Sequence, residues 1–288
     1  MSESEPLPTN IYRGIALLGW MSRDEAVRFL TKDCWTASGW RDGQAEALWQ
    51  VFRDRAAALP EREAPAPREL SLSEDEREHV GRFLPHLRKL GISDVEIIKI
   101  DPMQLVVAQF HITVDLAARY LDRCKTATGW MSLSMPISSV NPDLSASLTR
   151  NNLDTNILIE LPHAEFTFGI HPQGGFGPKE LRRHVAVLRV GDRMLLSKGY
   201  HRLYARVSGA EGRLPERLSL VVLESGMLAP AERGMHASPV TDAGLNVFGV
   251  RPALFADFFT EGLALPVYLL RKRYQLHVSA RWVSIDDP

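Results

Sequence analysis

The residues best suited to chemistry lie together in Lys198-Gly199-Tyr200-His201-Arg202, with Arg206 one helical turn further on. A glycine at such a joint allows a tight strand-to-helix turn and a close backbone approach to a ligand. The first amides of a following helix have no intrahelical acceptor and carry the positive end of the helix dipole. Cations at that end are unfavourable unless an anion is present. Arg202 and Arg206 would share one helix face, and two placed guanidinium groups grip phosphate oxygens with charge-assisted bonds. Gly199, Tyr200, Arg202, Arg206, Lys198 and Arg183 are therefore the expected ligand-binding set. His201 titrates near neutrality and is the expected acid or base if the site is catalytic, as in a nucleotide hydrolase or a nuclease.

The elements that must position these residues read as a compact series. Residues 179–184 suit a short helix and 185–190 a buried strand. Gly191-Asp192 suits a hairpin turn and 193–197 the return strand. After the turn come a helix over 203–208 and a strand over 218–223. Charge singles out the same stretch. The whole chain of 288 residues has a formal net charge of −1, yet residues 1–78 carry 10 basic and 15 acidic side chains and residues 176–220 carry 10 and 4. Overall neutrality argues against a nucleic-acid coat, which leaves nucleic acid a partner only through the local basic segment. A local surplus of +6 suits a small phosphate-bearing ligand or nucleotide, with or without magnesium.

The series from 176 to 224 resembles the core of the ParB/sulfiredoxin-like fold, which places a Gly-x-x-Arg turn between a strand and a helix. Gly199, His201 and Arg202 match the Gly-Cys-His-Arg turn of sulfiredoxins and the Asp-Gly-Gln-His-Arg turn of DndB-type DNA-modification proteins. Gly199 and Arg202 match the Gly-Glu-Arg-Arg turn of ParB proteins. The resemblance implies a nucleotide-phosphate site at the turn and a regulatory or DNA-metabolism-associated role. It does not extend to sulfinic-acid reduction, because Tyr200 stands where sulfiredoxins carry their cysteine. The second ParB motif, Glu-Asn-x-x-Arg, is replaced by Glu224-Ser-Gly-Met-Leu228, and no helix-turn-helix pattern follows.

Other constellations are weaker. His171-Pro-Gln-Gly-Gly-Phe-Gly177 is glycine-rich but lacks a P-loop ending. His163 and His171 share strand parity without a third ligand, and Asp154 and Glu160 are ordinary acids, so no metal site is expected. Cys34 and Cys124 lie far apart in sequence and outside any Cys/His cluster, which suits a reducing cytoplasm. No apolar run approaches the ~18 residues of a membrane span, and no secretory leader pattern opens the chain.

The expected class is α+β: an N-terminal helical region followed by a mixed-sheet domain. Residues 1–10 read as a disordered tail, 11–60 as helices, 61–70 as a Pro-, Glu- and Arg-rich linker, and 71–288 as a mixed α/β domain with the ParB-like core at 176–224. Ser22-x-x-Glu25 and Ser73-x-x-Glu76 are capping boxes, and helices are expected over 23–30, 44–59 and 73–91, with Pro85 kinking or breaking the third. Strands at 95–100 and 105–114 should pair as a hairpin about Asp101-Pro102. A short helix follows over 115–124, then a loop over 125–155, with strands at 156–161 and 165–171. Residues 252–262 should be helical and 267–285 a long strand or hairpin. Trp20, Trp35, Trp40 and Trp49 crowd the N-terminal region. They support an alternative function, a protein-interaction or adaptor module with a protein partner or a second copy of the chain, in which the Gly-x-His-Arg turn is purely structural.

Overall fold

A computed structural model describes residues 11–62, 70–89, 95–135, 147–150, 156–161, 167–170, 176–179, 184–210, 216–224, 245–247, 249–270 and 274–279. The expected tail, most of the expected linker, Arg183, and the His163 and His171 pair lie outside these residues. The chain is α+β and divides into two compact units, residues 1–137 with 183–270 and residues 138–182 with 271–288.

The first unit holds strands β1 (Ile11–Ala16), β2 (Val95–Ile100), β3 (Val106–Val107) and β4 (His111–Thr113), and helices α1 (Arg23–Arg28), α2 (Asp42–Ala57) and α3 (Glu74–Lys89). Helices α4 (Val114–Ala118), α5 (Leu121–Cys124) and α6 (Ala127–Ser134) follow. The second unit contains β5 (Ser147–Arg150), β6 (Asn156–Leu161), β7 (Thr167–Ile170) and β8 (Phe176–Lys179). The chain then returns to the first unit as β9 (Ala186–Val190), β10 (Arg193–Lys198), α7 (Tyr200–Gly209), β11 (Ser219–Glu224) and β12 (Leu265–Leu270). It ends in the second unit with β13 (Tyr274–Ser279).

A mixed five-stranded sheet in the order β2-β11-β9-β10-β3 forms the centre of the first unit. Strand β11 runs parallel to β9, and β10 is antiparallel to β9 and parallel to β3. Its strands read as nearly continuous apolar runs because both faces are covered. Val185, Val187, Val221 and Leu223 enter the larger core with Leu203 and Val207 of α7. Ala186, Leu220 and Val222 alternate to the other face, against Phe83 and Leu87 of α3. The period-2 alternation thus assigns each residue to one of two helical layers. A second, antiparallel sheet has the order β12-β1-β4.

Single contacts close the sheet edges, where open amides would invite another chain. Leu70 bridges Lys99 on β2, Leu254 bridges Val106 on β3, and Cys34 bridges Leu269 on β12. In the second unit β13 and β5 flank β6 in an antiparallel sheet, and β7 pairs with β8.

Several expectations are corrected. The N-terminal region opens on a strand rather than a helix, and that strand pairs with β12 from far along the chain. Residues 11–60 therefore belong to the same unit as the central sheet. Strands β2 and β3 do not form a hairpin but occupy opposite edges of the sheet. The Asp101 carboxylate accepts the Met103 amide at 3.1 Å and opens a 3-10 turn, Pro102–Gln104, which breaks the ladder between them. The expected loop over 125–155 contains α6, capped by Thr126 through the Gly129 amide at 3.0 Å, and strand β5. Phe176–Lys179 is a strand where Lys179 was expected to begin a helix. Helix α3 continues through Pro85 to Lys89. Phe255–Phe259 is only a short 3-10 turn, and in place of the expected long strand or hairpin over 267–285 stand two strands in different units that pair with different partners.

Candidate functional site

The Gly-Tyr-His-Arg turn joins β10 to α7 where expected, and the fold uses its side chains. Gly199 has φ +93°, a left-handed conformation that L side chains rarely adopt. A Cβ there would stand 2.8 Å from Val185 Cγ2 and 2.9 Å from Val185 Cα, so the glycine is needed for close passage over β9 as well.

Tyr200 is buried. Its hydroxyl donates to the Leu196 carbonyl at 2.7 Å and accepts the amides of Ala108 at 3.0 Å and Gln109 at 3.2 Å. Burial pushes its phenol up to about 12 against the opposing pull of those amides. His201 is half-buried, and its Nε2 accepts the Thr113 amide of β4 at 3.1 Å. Burial, then the neighbouring charges of His111 and Arg202, lowers its pKa to about 4. The imidazole is therefore neutral at physiological pH, with the Nε2 lone pair committed to the backbone. The acid–base role expected of His201 finds no free lone pair at that nitrogen.

Lys198 Nζ lies 3.3 Å from both oxygens of Glu224, which also accepts from His184 Nε2 at 2.9 Å. Burial would raise the Glu224 carboxyl, but His184 and Lys198 outweigh it and hold it at about 2. Arg202 and Arg206 do not form a common grip. The Arg202 guanidinium sits 5.9 Å from the Tyr120 ring centre, and that of Arg206 sits 5.5 Å from the Trp130 ring centre.

Of the expected set, Arg206 lines a cavity. Its volume is about 550 Å³, within the range of small-molecule sites. The wall is built by Cys124 and Lys125 at the end of α5, Trp130 and Met131 of α6, and Gly209 and Ala210 at the end of α7. Glu76, Lys99, Ala127, Glu216, Leu218 and Leu220 complete it. Arg206 Nη1 donates to the Cys124 carbonyl at 2.6 Å and Nη2 to the Leu218 carbonyl at 3.4 Å. Among the described residues no carboxylate is bonded to this guanidinium; burial lowers its pKa against the opposing charges of Cys124, Glu216 and Glu76. Lys99 is paired with Glu76 at 2.8 Å. The Cys124 thiol is pushed up to about 12 by burial, so it is no nucleophile here. Sequence reading missed Glu76, Lys99, Lys125, Trp130 and Glu216, which are spread over 140 positions with no spacing signal.

Among the described residues no group of three or more His, Cys, Asp or Glu side chains could hold a metal, and no helix is long and apolar enough to cross a membrane. No protein-family model, curated protein or solved structure matches the chain.

Proposed function

We propose that this chain binds a small phosphate-bearing or otherwise acidic molecule in the cavity beside α7, a nucleotide with or without magnesium being one member of that class. The observation that supports the reading is Arg206, a half-buried guanidinium that lines the cavity and is bonded to two carbonyls but to no carboxylate. A partly desolvated cation with no carboxylate bonded to it, only the more distant charges of Glu216 and Glu76, favours an anion beside it. The ParB/sulfiredoxin-like character of the core belongs to the same proposal. It is supported by the order of hairpin, glycine turn, helix and then a strand parallel to the first of the hairpin. In this reading the turn positions α7, and Arg206 rather than Arg202 meets the ligand.

Calorimetry of the full chain with inorganic phosphate, AMP, ATP, CTP and GTP, each with and without magnesium, tests the proposal. Binding should weaken by about tenfold or more in Arg206→Gln, the loss of one charge-assisted contact, and stay near wild type in Arg202→Ala. No binding by the wild type, or unchanged binding by a folded Arg206→Gln, overturns it.

One observation favours the adaptor reading as a second. Tyr268, 41% exposed, meets Trp35 edge-on at 6.2 Å beside the bridged edge of β12. Trp35, Trp40 and Trp49 are half-buried, whereas Trp20 is wholly buried. Light scattering of the wild type and of Tyr268→Ser tests for a dimer through this face. A monomer at all concentrations removes the homodimeric form of that reading.

A further inference from the structure

We infer that the occupant of the Arg206 cavity is a small zwitterion, with an oxyanion and an ammonium on one short skeleton, as in an α-amino acid or a phosphorylated amino alcohol. The inference rests on the anion reading above and adds a second, cationic end to the ligand.

Two features define the anionic end. Arg206 brings a charge to which no carboxylate of the described residues is bonded, Glu216 and Glu76 acting on it only through space. Beside it, Arg206 Nε and Trp130 Nε1 are buried N–H donors without an acceptor, and Trp130 is only 3% exposed. Buried donors are nearly always satisfied. Two such donors on neighbouring side chains that border one cavity call for an acceptor group. An oxyanion supplies acceptors and the compensating charge together.

The cationic end follows from pairing off the remaining charges. Lys99 is held by Glu76 at 2.8 Å, and Lys125 lies 3.0 Å from Asp122. That leaves Glu216, an exposed carboxylate on the same cavity with no ion-pair partner among the described residues. The end of α7, at Gly209 and Ala210, also lines the cavity, and a helix C-terminus favours positive charge. The cavity therefore offers one cation and one carboxylate that act on each other through space without forming a close ion pair. A ligand with one charge of each sign complements both, whereas a simple anion leaves Glu216 facing like charge.

The test is calorimetry on the full chain with pairs that differ only in the ammonium. O-phosphoethanolamine is compared with monoethyl phosphate, and L-phenylalanine with 3-phenylpropionate. In at least one pair the ammonium member should bind about tenfold tighter, the size of one charge-assisted contact. Glu216→Gln, a change at an exposed position, should reduce that gap to less than about threefold, weakening the ammonium member and tightening the acid-only member, which no longer faces a like charge. Trp130→Phe keeps the ring over Arg206, removes the N–H, and should weaken both members alike. If the acid-only members bind as tightly as their partners, or the gap survives Glu216→Gln, the inference falls and the anion reading stands. If the wild type binds neither member of either pair, the inference falls on its own count. The anion reading then rests on the phosphate and nucleotide titrations.

Discussion

The hydroxyl of Tyr200 accepts the amide of Ala108 at 3.0 Å, across 92 positions of chain. The same oxygen accepts the Gln109 amide and donates to the Leu196 carbonyl. One phenol thus ties the start of α7 to β10 and to the irregular segment that leaves β3 for β4. His201 continues the seam by accepting the Thr113 amide on the outer edge of β4. A tetrapeptide that reads as a ligand grip serves here as the clasp between two sheets.

Tyr200→Phe should cost about 2–3 kcal/mol, because it strands the buried Ala108 amide and the half-buried Gln109 amide without loss of packing volume. Urea denaturation measures the loss. Hydrogen exchange at Ala108 and Gln109 should quicken more than at amides elsewhere in the core. A change below about 0.5 kcal/mol would show that the clasp is not holding.

Gly199→Ala should destabilise by ~2 kcal/mol or more, from the left-handed backbone and the approach to Val185 together. Gly191 also has a positive φ, +59°, but nothing lies within 4 Å of its would-be Cβ. Gly191→Ala should therefore be the milder of the two, and the ranking of their denaturation midpoints checks the steric part.

Acid should unfold the protein in two steps of different origin. The folded pKa of His201 is near 4 against an ordinary 6.5, so the unfolded chain binds more protons between those values. Its contribution is fully present above pH 6.5 and is lost as pH falls toward 4, with a slope of at most about 1.4 kcal/mol per pH unit. Glu224 is held near 2 against 4.5, so its contribution is present above pH 4.5 and lost as pH falls toward 2. Urea midpoints at successive pH values should show both windows. His201→Gln, which retains an acceptor, should flatten only the upper one.

Arg62→Ala should be among the most damaging single changes, at about 3–5 kcal/mol. Its guanidinium meets Asp257 at 3.0 and 2.6 Å, and that carboxylate is 2% exposed. Removing the arginine leaves a buried charge held only by the Leu254 amide at 2.8 Å. A double-mutant cycle with Asp257→Asn separates the pair from its surroundings. A coupling near zero would refute the assignment.

Much of the local structure was legible because it depends on neighbours in sequence. The capping boxes at Ser22 and Ser73 formed as the four-residue pattern requires. The β9–β10 hairpin, the glycine turn, α7 and β11 follow the order that periodicity and turn residues indicated. Strand β2 ends where the pattern does. Pairing was not legible. Nothing local distinguishes a hairpin of β2 and β3 from two strands on opposite edges, because an apolar alternation fits any partner. The strand at Ile11–Ala16 gains its identity from β12, which lies far along the chain.

The candidate site divides along the same line. Composition and spacing by themselves determined that Gly199 would make a strand-to-helix turn and that Arg202 and Arg206 would lie a turn apart, since both are properties of a few consecutive residues. Only the tertiary structure decided what those side chains face. It sent Tyr200 and His201 to backbone amides, Lys198 to Glu224, and Arg202 and Arg206 to different aromatic rings. It also gathered Glu76, Lys99, Lys125, Trp130 and Glu216 around Arg206. The physical reason is that a buried polar group takes whichever partner packing brings within hydrogen-bonding distance, and packing is a property of the whole chain.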